Sequence, residues 1–426
     1  MRDRKLRALA LLGAAIAFTG AAGLAQGAFG TAGKTIVNVG GPNSADGVAF
    51  GKGGTIIGVG AAVPGADGFD FAAVRLTTTG TPDSTFSGDG KQTTAAGGFD
   101  TLDAVVVQKD GAILAGGSTD AIDDQRRATL VRYEPDGDPD PTYSGDGAKI
   151  FPFGGTASDI EDIALQKDGK VVIAGTIDAP GDGQDALIAR VKPNGKLDRR
   201  FGRKGFLRFG VKEGTGLAAV DLGENGQIVV AGDTSGITMK SPSSQLYAQL
   251  TSGGKLDRSF SRDGIYIKKV KGGSTRAEDL ALDEKGRLLA AIGIFKGGGA
   301  EPLYGVAAIK KSGRLNKKFG KRGFALRDFG EDTSFGAIAI QKSGRIVVGG
   351  GVRSGDLDFL LARFTRTGRL DESFGFKGAA VTDFAGGSGD IVQALAIGKD
   401  DEIVAAGIGD GDFGFARYLA NGAIDD

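Results

Sequence analysis

Acidic residues recur at one position of a repeated segment. They stand eight residues before a turn residue in four of seven units: Asp46, Asp103, Glu161 and Glu278. The other three units have Ala218, Gly336 and Gln393 there. Carboxylate oxygens are the ligands that Ca²⁺ prefers, so these four acids are candidate ligands for a cation such as Ca²⁺. The alternative is that they end loops and accept backbone N–H bonds.

Arginines recur on another segment of the unit, at Arg75, Arg132, Arg190, Arg363 and Arg417. A row of guanidinium groups could bind phosphate or sulfate. However, an aspartate follows eight residues after each arginine, as Asp198 follows Arg190. Arginine and carboxylate form planar, two-pronged pairs that can hold a loop in place. The spacing therefore favours a structural role over anion binding.

Three short motifs resemble ligand-binding loops but lack the context that such loops need. Residues 28–35 fit a relaxed phosphate-loop pattern, and residues 409–414 read G-x-G-x-x-G. A predicted strand follows each of these loops, whereas nucleotide binding requires a helix directly after the loop. Residues 136–140 resemble the start of a calcium loop, but Pro141 replaces its glycine and Gly147 its final glutamate. We predict no cofactor. Residues 136–140 fall on the ordinary turn after the third strand, and a weak surface calcium site is the alternative.

Composition excludes several kinds of chemistry. The 426 residues include no His, no Cys and no Trp. Serine–histidine triads, Cys-ligated zinc, haem held by His and disulfides are therefore excluded. Since 52 basic residues balance 52 acidic ones, charge predicts no nucleic-acid partner. The chain is 40% apolar and 24% charged, which suits a sizeable core and a soluble surface.

The unit that carries these residues has a period of about 57 residues. An aromatic residue marks each copy, at Phe29, Phe86, Tyr143, Phe201, Phe260, Phe319 and Phe374. The gaps between them are 57, 57, 58, 59, 59 and 55 residues. Apolar residues alternate with a period of two, and Asp-Gly or Asn-Gly turns separate them, which predicts four short strands in each unit.

The first strand of each unit has a bulky face and a small face. Bulky residues stand four and six positions before the turn, as Leu165 and Ile163 do. The residue between them is Ala in five of the seven units. Neighbouring residues of a strand face opposite sides, so the bulky face of one sheet fits the small face of the next. Seven such sheets around an axis form a β-propeller.

The two ends of the chain complete one unit. Residues 391–422 supply three strands of the last blade, and residues 29–39 are predicted to supply the fourth. This arrangement removes the open sheet edge that would otherwise favour aggregation. The sequence thus predicts an all-β, seven-bladed propeller over residues 28–426, with four-stranded antiparallel blades and an N-terminal strand completing the last blade.

These motifs resemble a known family. The strand D-G-K-φ-φ-φ-A-G, the A-R strand and the linker G-x-L-D-x-x-F-G-x-x-G look like the delta-60 repeat, a bacterial β-propeller family of unknown function. The clearest matches are residues 167–175, 189–205, 344–350 and 362–378. Gln249 and Ala308 replace the Arg of the motif, and Ile292 replaces a Gly. The strand order also resembles kelch propellers. The resemblance implies a fold and export, and no catalytic residues.

The amino terminus reads as an export signal. Arg2, Arg4, Lys5 and Arg7 precede an apolar run over residues 8–25, which ends in small residues. These are the parts of a secretory signal peptide over residues 1–27. We expect a secreted, periplasmic or cell-surface protein with no transmembrane domain after cleavage. The alternative is a membrane anchor formed by the uncleaved signal.

We expect a non-catalytic scaffold, monomeric, that binds a ligand or a protein or glycan partner. Its variable loops are the expected binding face: 61–70, 118–127, 233–245 and 294–303. The alternative is a carbohydrate-active or metal-assisted hydrolase that uses carboxylates at the mouth of the channel. Sugar platforms usually use Trp or Tyr, and a chain with no Trp and six Tyr fits an enzyme of this kind poorly. A third alternative is a structural protein of the cell surface.

Overall fold

The alternating apolar residues form short strands throughout the described chain. The computed structural model describes residues 28–41, 43–63, 68–121, 125–179, 183–211, 214–234, 242–296, 302–330, 332–384, 387 and 389–426. These residues form 28 strands and a single short 3₁₀ turn at Lys52–Gly54.

The strands occupy four positions in seven sheets. The innermost strands are β2 (Ser44–Phe50), β6 (Thr101–Val107), β10 (Asp162–Leu165), β14 (Gly216–Leu222), β18 (Gly273–Leu282), β22 (Ser334–Ile340) and β26 (Ile391–Ile397). The second strands are β3 (Ile56–Ala62), β7 (Ile113–Thr119), β11 (Val171–Ala179), β15 (Ile228–Thr234), β19 (Leu288–Lys296), β23 (Ile346–Arg353) and β27 (Ile403–Gly409).

The remaining strands lie farther from the centre. The third strands are β4 (Asp70–Leu76), β8 (Arg127–Tyr133), β12 (Gly183–Val191), β16 (Ser244–Leu250), β20 (Leu303–Ile309), β24 (Leu357–Phe364) and β28 (Asp412–Tyr418). The outer strands are β5 (Lys91–Thr94), β9 (Ala148–Ile150), β13 (Phe206–Phe209), β17 (Ile265–Lys268), β21 (Phe324–Arg327), β25 (Ala379–Thr382) and β1 (Lys34–Val37).

Each sheet is antiparallel, and the seven sheets form a ring. Each innermost strand contacts the innermost strands of the sheets on either side, and β26 contacts β2. The protein is therefore a seven-bladed β-propeller, as the repeat predicted. We number the blades 1 to 7 by their innermost strands, from β2 to β26. Because the strands alternate in direction, the loops entering the innermost strands and the loops between second and third strands share one face, which we call the loop face.

The core lies between blades, where bulky side chains fill space left by small ones. Ile160 and Ile163 of blade 3 are buried against blade 2. A Cβ added to Gly116 of blade 2 would lie 2.8 Å from Ile163 and 2.9 Å from Ile160. The glycine therefore makes room for the next blade, as the bulky and small faces predicted. Full burial of one such side chain contributes about 1.5–3 kcal/mol.

The N-terminal strand completes the last blade. β1 pairs antiparallel with β28, from Lys34 opposite Ala416 to Val37 opposite Phe413. The Phe29 N–H also donates to the carbonyl of Asp425 (3.1 Å). The predicted ring closure is thus confirmed, and main-chain hydrogen bonds join the two ends of the ring.

The repeated arginines hold neighbouring blades together on the opposite face. Arg190 pairs with Asp198 (Nη2 to Oδ2, 2.9 Å), and its guanidinium lies 4.8 Å from the centre of the Phe201 ring. Its Nη1 donates to the carbonyl of Ser252 in the next blade (2.6 Å). Three further pairs repeat this arrangement: Arg75–Asp83, Arg363–Asp371 and Arg417–Asp425. Arg132 also pairs with Asp140, but it donates in addition to Gln108 and Asp110 of its own blade. The structural interpretation of these arginines is confirmed.

Several predictions from the sequence fall outside the described residues. The predicted signal peptide, residues 1–27, lies outside them entirely. The predicted binding loops lie partly outside, at residues 64–67, 122–124, 235–241 and 297–301. In the described part of the chain, no helix has the length and apolar character needed to cross a membrane.

Candidate functional site

A β-bulge sets the position of the predicted acids. In blades 1, 2 and 5 the pairing of the innermost strand skips one residue, which is Asp46, Asp103 and Glu278 respectively. The same skip occurs in blades 4, 6 and 7 at Ala218, Gly336 and Gln393. A bulge turns a side chain out of the regular alternation. Because these strands form the wall of the channel, the bulge residues lie around the mouth of the channel at the loop face.

The fourth acid is held slightly differently. Glu161 precedes β10, and its N–H donates to the carbonyl of Ala174 in β11 (2.9 Å). The residue as a whole is exposed, while protein atoms crowd around its carboxyl group. Burial raises its pKa to about 7, assisted by the charge of Asp159 and opposed by Arg126.

Three of the four acids share one electrostatic environment. The pKa of Asp103 is well above its ordinary value, first because of burial and then because of the charges of Glu161 and Asp46. Burial also raises the pKa of Asp46 to about 6, although Ser44 Oγ donates to both of its carboxylate oxygens (2.9 Å each). Asp46, Asp103 and Glu161 therefore form an acidic mouth on three consecutive blades.

Glu278 is separate from this group. Burial raises its pKa, while Arg276 lowers it and Asp233 raises it. Arg276 in turn pairs with Asp233 (Nε to Oδ2, 3.3 Å). The structure thus brings together three of the four predicted residues and places the fourth beside a neighbouring ion pair.

A second set of acids lies on the channel wall in blades 3, 4 and 5. Asp162, Asp221 and Asp279 stand on β10, β14 and β18. Burial raises the pKa of all three, to about 7 for Asp279. Asp162 also has a higher pKa because of the charge of Asp279. We call these residues the wall acids.

The wall acids join blades through backbone hydrogen bonds. The Oδ2 atoms of Asp162, Asp221 and Asp279 accept the N–H groups of Val220, Leu282 and Ile338 in the next blade, at 2.7, 2.8 and 2.8 Å. Sequence analysis did not predict this role. The sequence did hold one sign of it: Asp221 places a charged residue at a position of the innermost strand where five of the seven units have Ala.

A further repeated position was also missed. Three residues before each bulge position, every blade has a buried polar residue: Asn43, Asp100, Ser158, Thr215, Thr275, Thr333 and Asp390. Asn43 Oδ1 accepts the Phe413 N–H (3.0 Å), and Thr215 Oγ1 accepts the Val211 N–H (3.0 Å). These side chains bind the backbone of the loop face, so they order the loops around the mouth.

One group of carboxylates comes close enough to share a metal ion. Among the described residues, ligand oxygens of Asp358, Asp383 and Asp390 lie within 4.8 Å of one another, and the predicted acids form no such group. Asp358 and Asp390 are buried and Asp383 is exposed. Asp390 is already bound to backbone, because it accepts the N–H groups of Phe384 and Asp410 (2.8 Å each).

A cleft of about 190 Å³ opens beside the acidic mouth. Its lining includes Arg126, Asp159, Asp178 and Gln184 at the junction of blades 2 and 3. Arg126 lies 3.7 Å from Asp159 (Nη1 to Oδ2), and burial raises the pKa of that carboxyl. The loop face therefore combines an acidic channel mouth with a polar cleft at its edge.

Comparison with protein families supports the repeat assignment. Four segments match the family described as "Domain of unknown function (DUF5122) beta-propeller": residues 54–86, 108–143, 166–201 and 341–374. Four segments of the chain are thus similar to this family of β-propeller repeats. Each matched segment ends at a linker aromatic that stacks between blades. The resemblance to kelch propellers stays a prediction.

Several solved structures resemble this propeller at low sequence identity. They include Drosophila Plexin A in complex with Semaphorin 1b, at 11% identity and a TM-score of 0.45, covering 92% of this chain and 87% of that chain. A protein of unknown function from Dyadobacter fermentans has 14% identity and a TM-score of 0.48, covering 90% and 97%. An ulvan lyase of polysaccharide lyase family PL25 has 12% identity and a TM-score of 0.49, covering 90% and 96%. No curated protein sequence matches this chain. These likenesses concern the fold alone.

Proposed function

We propose that this propeller is an exported, non-catalytic binding protein whose ligand docks on the loop face, at the acidic mouth of the channel. The observation that carries the proposal is that Asp46, Asp103 and Glu161 belong to three consecutive blades, the first two at bulges, and that the charges of Asp46 and Glu161 both act on Asp103. Variable loops on a rigid scaffold are where recognition usually lies. The rigid part here is the ring of blades.

The acids favour a positively charged ligand. Burial raises the pKa of Asp103 above its ordinary value, and the like charges of Glu161 and Asp46 raise it further. A bound cation offsets the repulsion between these charges, and oxygen ligands suit Ca²⁺. The ligand class we propose is therefore a partner that brings a cationic group to the mouth, or a divalent cation such as Ca²⁺, around which the three side chains would have to close because their oxygens do not form a ready-made metal site.

Thermal unfolding with and without calcium tests this proposal. A ligand that binds the native state alone raises the melting temperature by mass action. We expect millimolar CaCl₂ to raise it by roughly 2–4 °C and a chelator to reverse the rise. Changing Asp46→Asn, Asp103→Asn and Glu161→Gln together should abolish the effect. Glu278→Gln is the matched control, since Glu278 lies outside the group. A wild-type melting temperature that changes with neither calcium nor chelator would contradict the cation site.

A second candidate function is hydrolysis of a glycan. The observation that favours it is the set of neighbouring carboxyls with different proton affinities, with pKa values of about 6 for Asp46 and about 7 for Glu161. Glycosidases use one protonated and one ionised carboxyl beside the scissile bond. Release of reducing sugar from a polysaccharide panel, lost in Glu161→Gln and kept in Glu278→Gln, would support the enzyme over the binding protein.

A further inference from the structure

Two phenylalanine rings stand exposed at the junction of blades 1 and 2. Phe69 is 36% exposed and Phe99 is 59% exposed. Their ring centres lie 5.8 Å apart, with the planes tilted by 40°. Phe69 precedes β4 and Phe99 lies in the loop entering β6, so both belong to the loop face. Among the described residues, no other aromatic pair has both rings exposed to this extent.

Backbone hydrogen bonds hold the two rings in this position. The carbonyl of Phe69 accepts the Asp100 N–H (2.9 Å), and Asp120 Oδ1 accepts the Phe99 N–H (2.5 Å). Both backbones are therefore fixed to the blades. A partner that covers the pair therefore needs to order the two side chains but not the backbone that carries them.

Carboxylates surround the pair. Asp70 follows Phe69 directly, and Asp120 is bound to the Phe99 N–H. The charges of Asp70 and Asp120 both raise the pKa of the buried Asp100, which shows that the three carboxyls lie close together. Arg126 lies 3.7 Å from Asp159, and Arg127 donates to the carbonyl of Gly155, both at the junction of blades 2 and 3. Carboxylates of Asp70 and Asp120 thus stand beside the two rings.

We propose that the Phe69–Phe99 pair and its flanking carboxylates bind a basic segment of a partner protein. A guanidinium or ammonium group is attracted both to the face of an aromatic ring and to nearby carboxylates. The rings carry no polar group of their own, so they suit the apolar stem and charged head of Arg or Lys better than a sugar. This inference depends on the proposed function only in that the loop face is the binding face.

Fluorescence anisotropy with a labelled hexa-arginine peptide tests the pair. We expect Phe69→Ala and Phe99→Ala each to weaken binding roughly 2- to 5-fold, because one cation–π contact is lost in each case. Phe99→Tyr should keep the affinity, since the ring face remains. Asp70→Asn should also weaken binding. The matched control is Phe376→Ala, because Phe376 is equally exposed (59%) but lies in a linker on the opposite face.

Two results would overturn the inference. Peptide affinity that falls with salt but is indifferent to both Phe variants would mean that charge alone binds the peptide. Co-sedimentation with neutral phosphatidylcholine vesicles that both Phe→Ala variants abolish, without any peptide binding, would make a membrane the occupant. The triple variant Asp46→Asn, Asp103→Asn, Glu161→Gln separates this inference from the proposed function. It should no longer respond to calcium, but it should still bind the peptide, and adding Phe99→Ala to it should weaken peptide binding as it does in the wild type.

Discussion

Asp279 accepts the N–H of Ile338 across a blade boundary, with 2.8 Å between Oδ2 and the backbone nitrogen. Its other oxygen accepts the N–H of Leu280 in its own strand (2.6 Å). The carboxylate thus uses both oxygens to fix two innermost strands side by side. Hydrogen bonds to a carboxylate lower its pKa, yet burial raises the pKa of Asp279 to about 7. The cost of placing this charge in the channel wall exceeds what the two bonds recover.

The stability of the protein should fall as the pH rises through the range where these carboxyls ionise. The native pKa values of Asp46, Glu161 and Asp279 are about 6, 7 and 7, against ordinary values of 3.8, 4.5 and 3.8. The native state therefore binds more protons than the unfolded state between about pH 4 and pH 7, so a rise in pH reduces the free energy of unfolding. We expect urea denaturation to show roughly 2–4 kcal/mol more stability at pH 5 than at pH 8.

The wall acids should account for much of that pH dependence. Replacing Asp162, Asp221 and Asp279 together by Asn removes the titrating groups and leaves one acceptor oxygen on each side chain. The variant should show a flatter stability profile between pH 5 and pH 8. A profile as steep as that of the wild type would place the pH dependence elsewhere.

Replacing Arg190 by Lys should destabilise the protein by about 2 kcal/mol. A lysine cannot make the two-pronged bond to Asp198 and stack on Phe201 at the same time. Chemical denaturation measures the effect. The control is Arg199→Lys, since Arg199 is exposed on the surface. Equal stability of the two variants would mean that the positive charge, which Lys retains at position 190, is enough to hold the linker.

Deleting residues 29–39 should destabilise the whole ring. The deletion removes β1 and exposes the edge of β28, and it also removes Phe29, which is fully buried. We expect aggregation, or a loss of roughly 3 kcal/mol or more, because an open edge and a cavity arise together. Size-exclusion chromatography and thermal melting measure the outcome. A monomeric variant that melts like a chain starting at residue 28 would contradict this role of the closure.

Export can be checked by peptide mapping of the protein recovered from the medium or the periplasm. The prediction rests on the basic and apolar residues 1–27, and the mature chain should begin at Gln26 or Ala28. Recovery of intact Met1 in a membrane fraction would instead support an uncleaved anchor.

The fold could be predicted because the relevant information repeats along the chain. The alternation of bulky and small residues in the innermost strand predicted face-to-face packing, and the structure shows it at Gly116 and Ile163. The eight-residue spacing from Arg190 to Asp198 likewise predicted their ion pair. Each of these features depends on the period of a strand or on a short linker, which a sequence displays directly.

The features that the sequence did not predict depend on contacts between blades, and the residue pattern within a single strand or linker does not show such contacts. Ala308 replaces the repeated Arg of blade 5, and the structure shows Arg287, in the turn before β19, stacking on Phe319 instead (5.3 Å). Arg287 also donates to the carbonyl of Arg366 in blade 6 (3.0 Å). The bulges at Asp46 and Asp103 were not predicted either, because a bulge adds one residue without changing the alternating pattern around it.

Isothermal titration calorimetry with CaCl₂ tests the central claim most directly, namely that the acidic mouth is a ligand site. The account predicts that the wild type binds Ca²⁺ with about one ion per chain, that Glu278→Gln binds as the wild type does, and that Asp103→Asn binds at least tenfold more weakly. Asp103 decides the result because the charges of both Asp46 and Glu161 act on it. Heat of binding that is unchanged in Asp103→Asn, or absent from the wild type, would contradict the account.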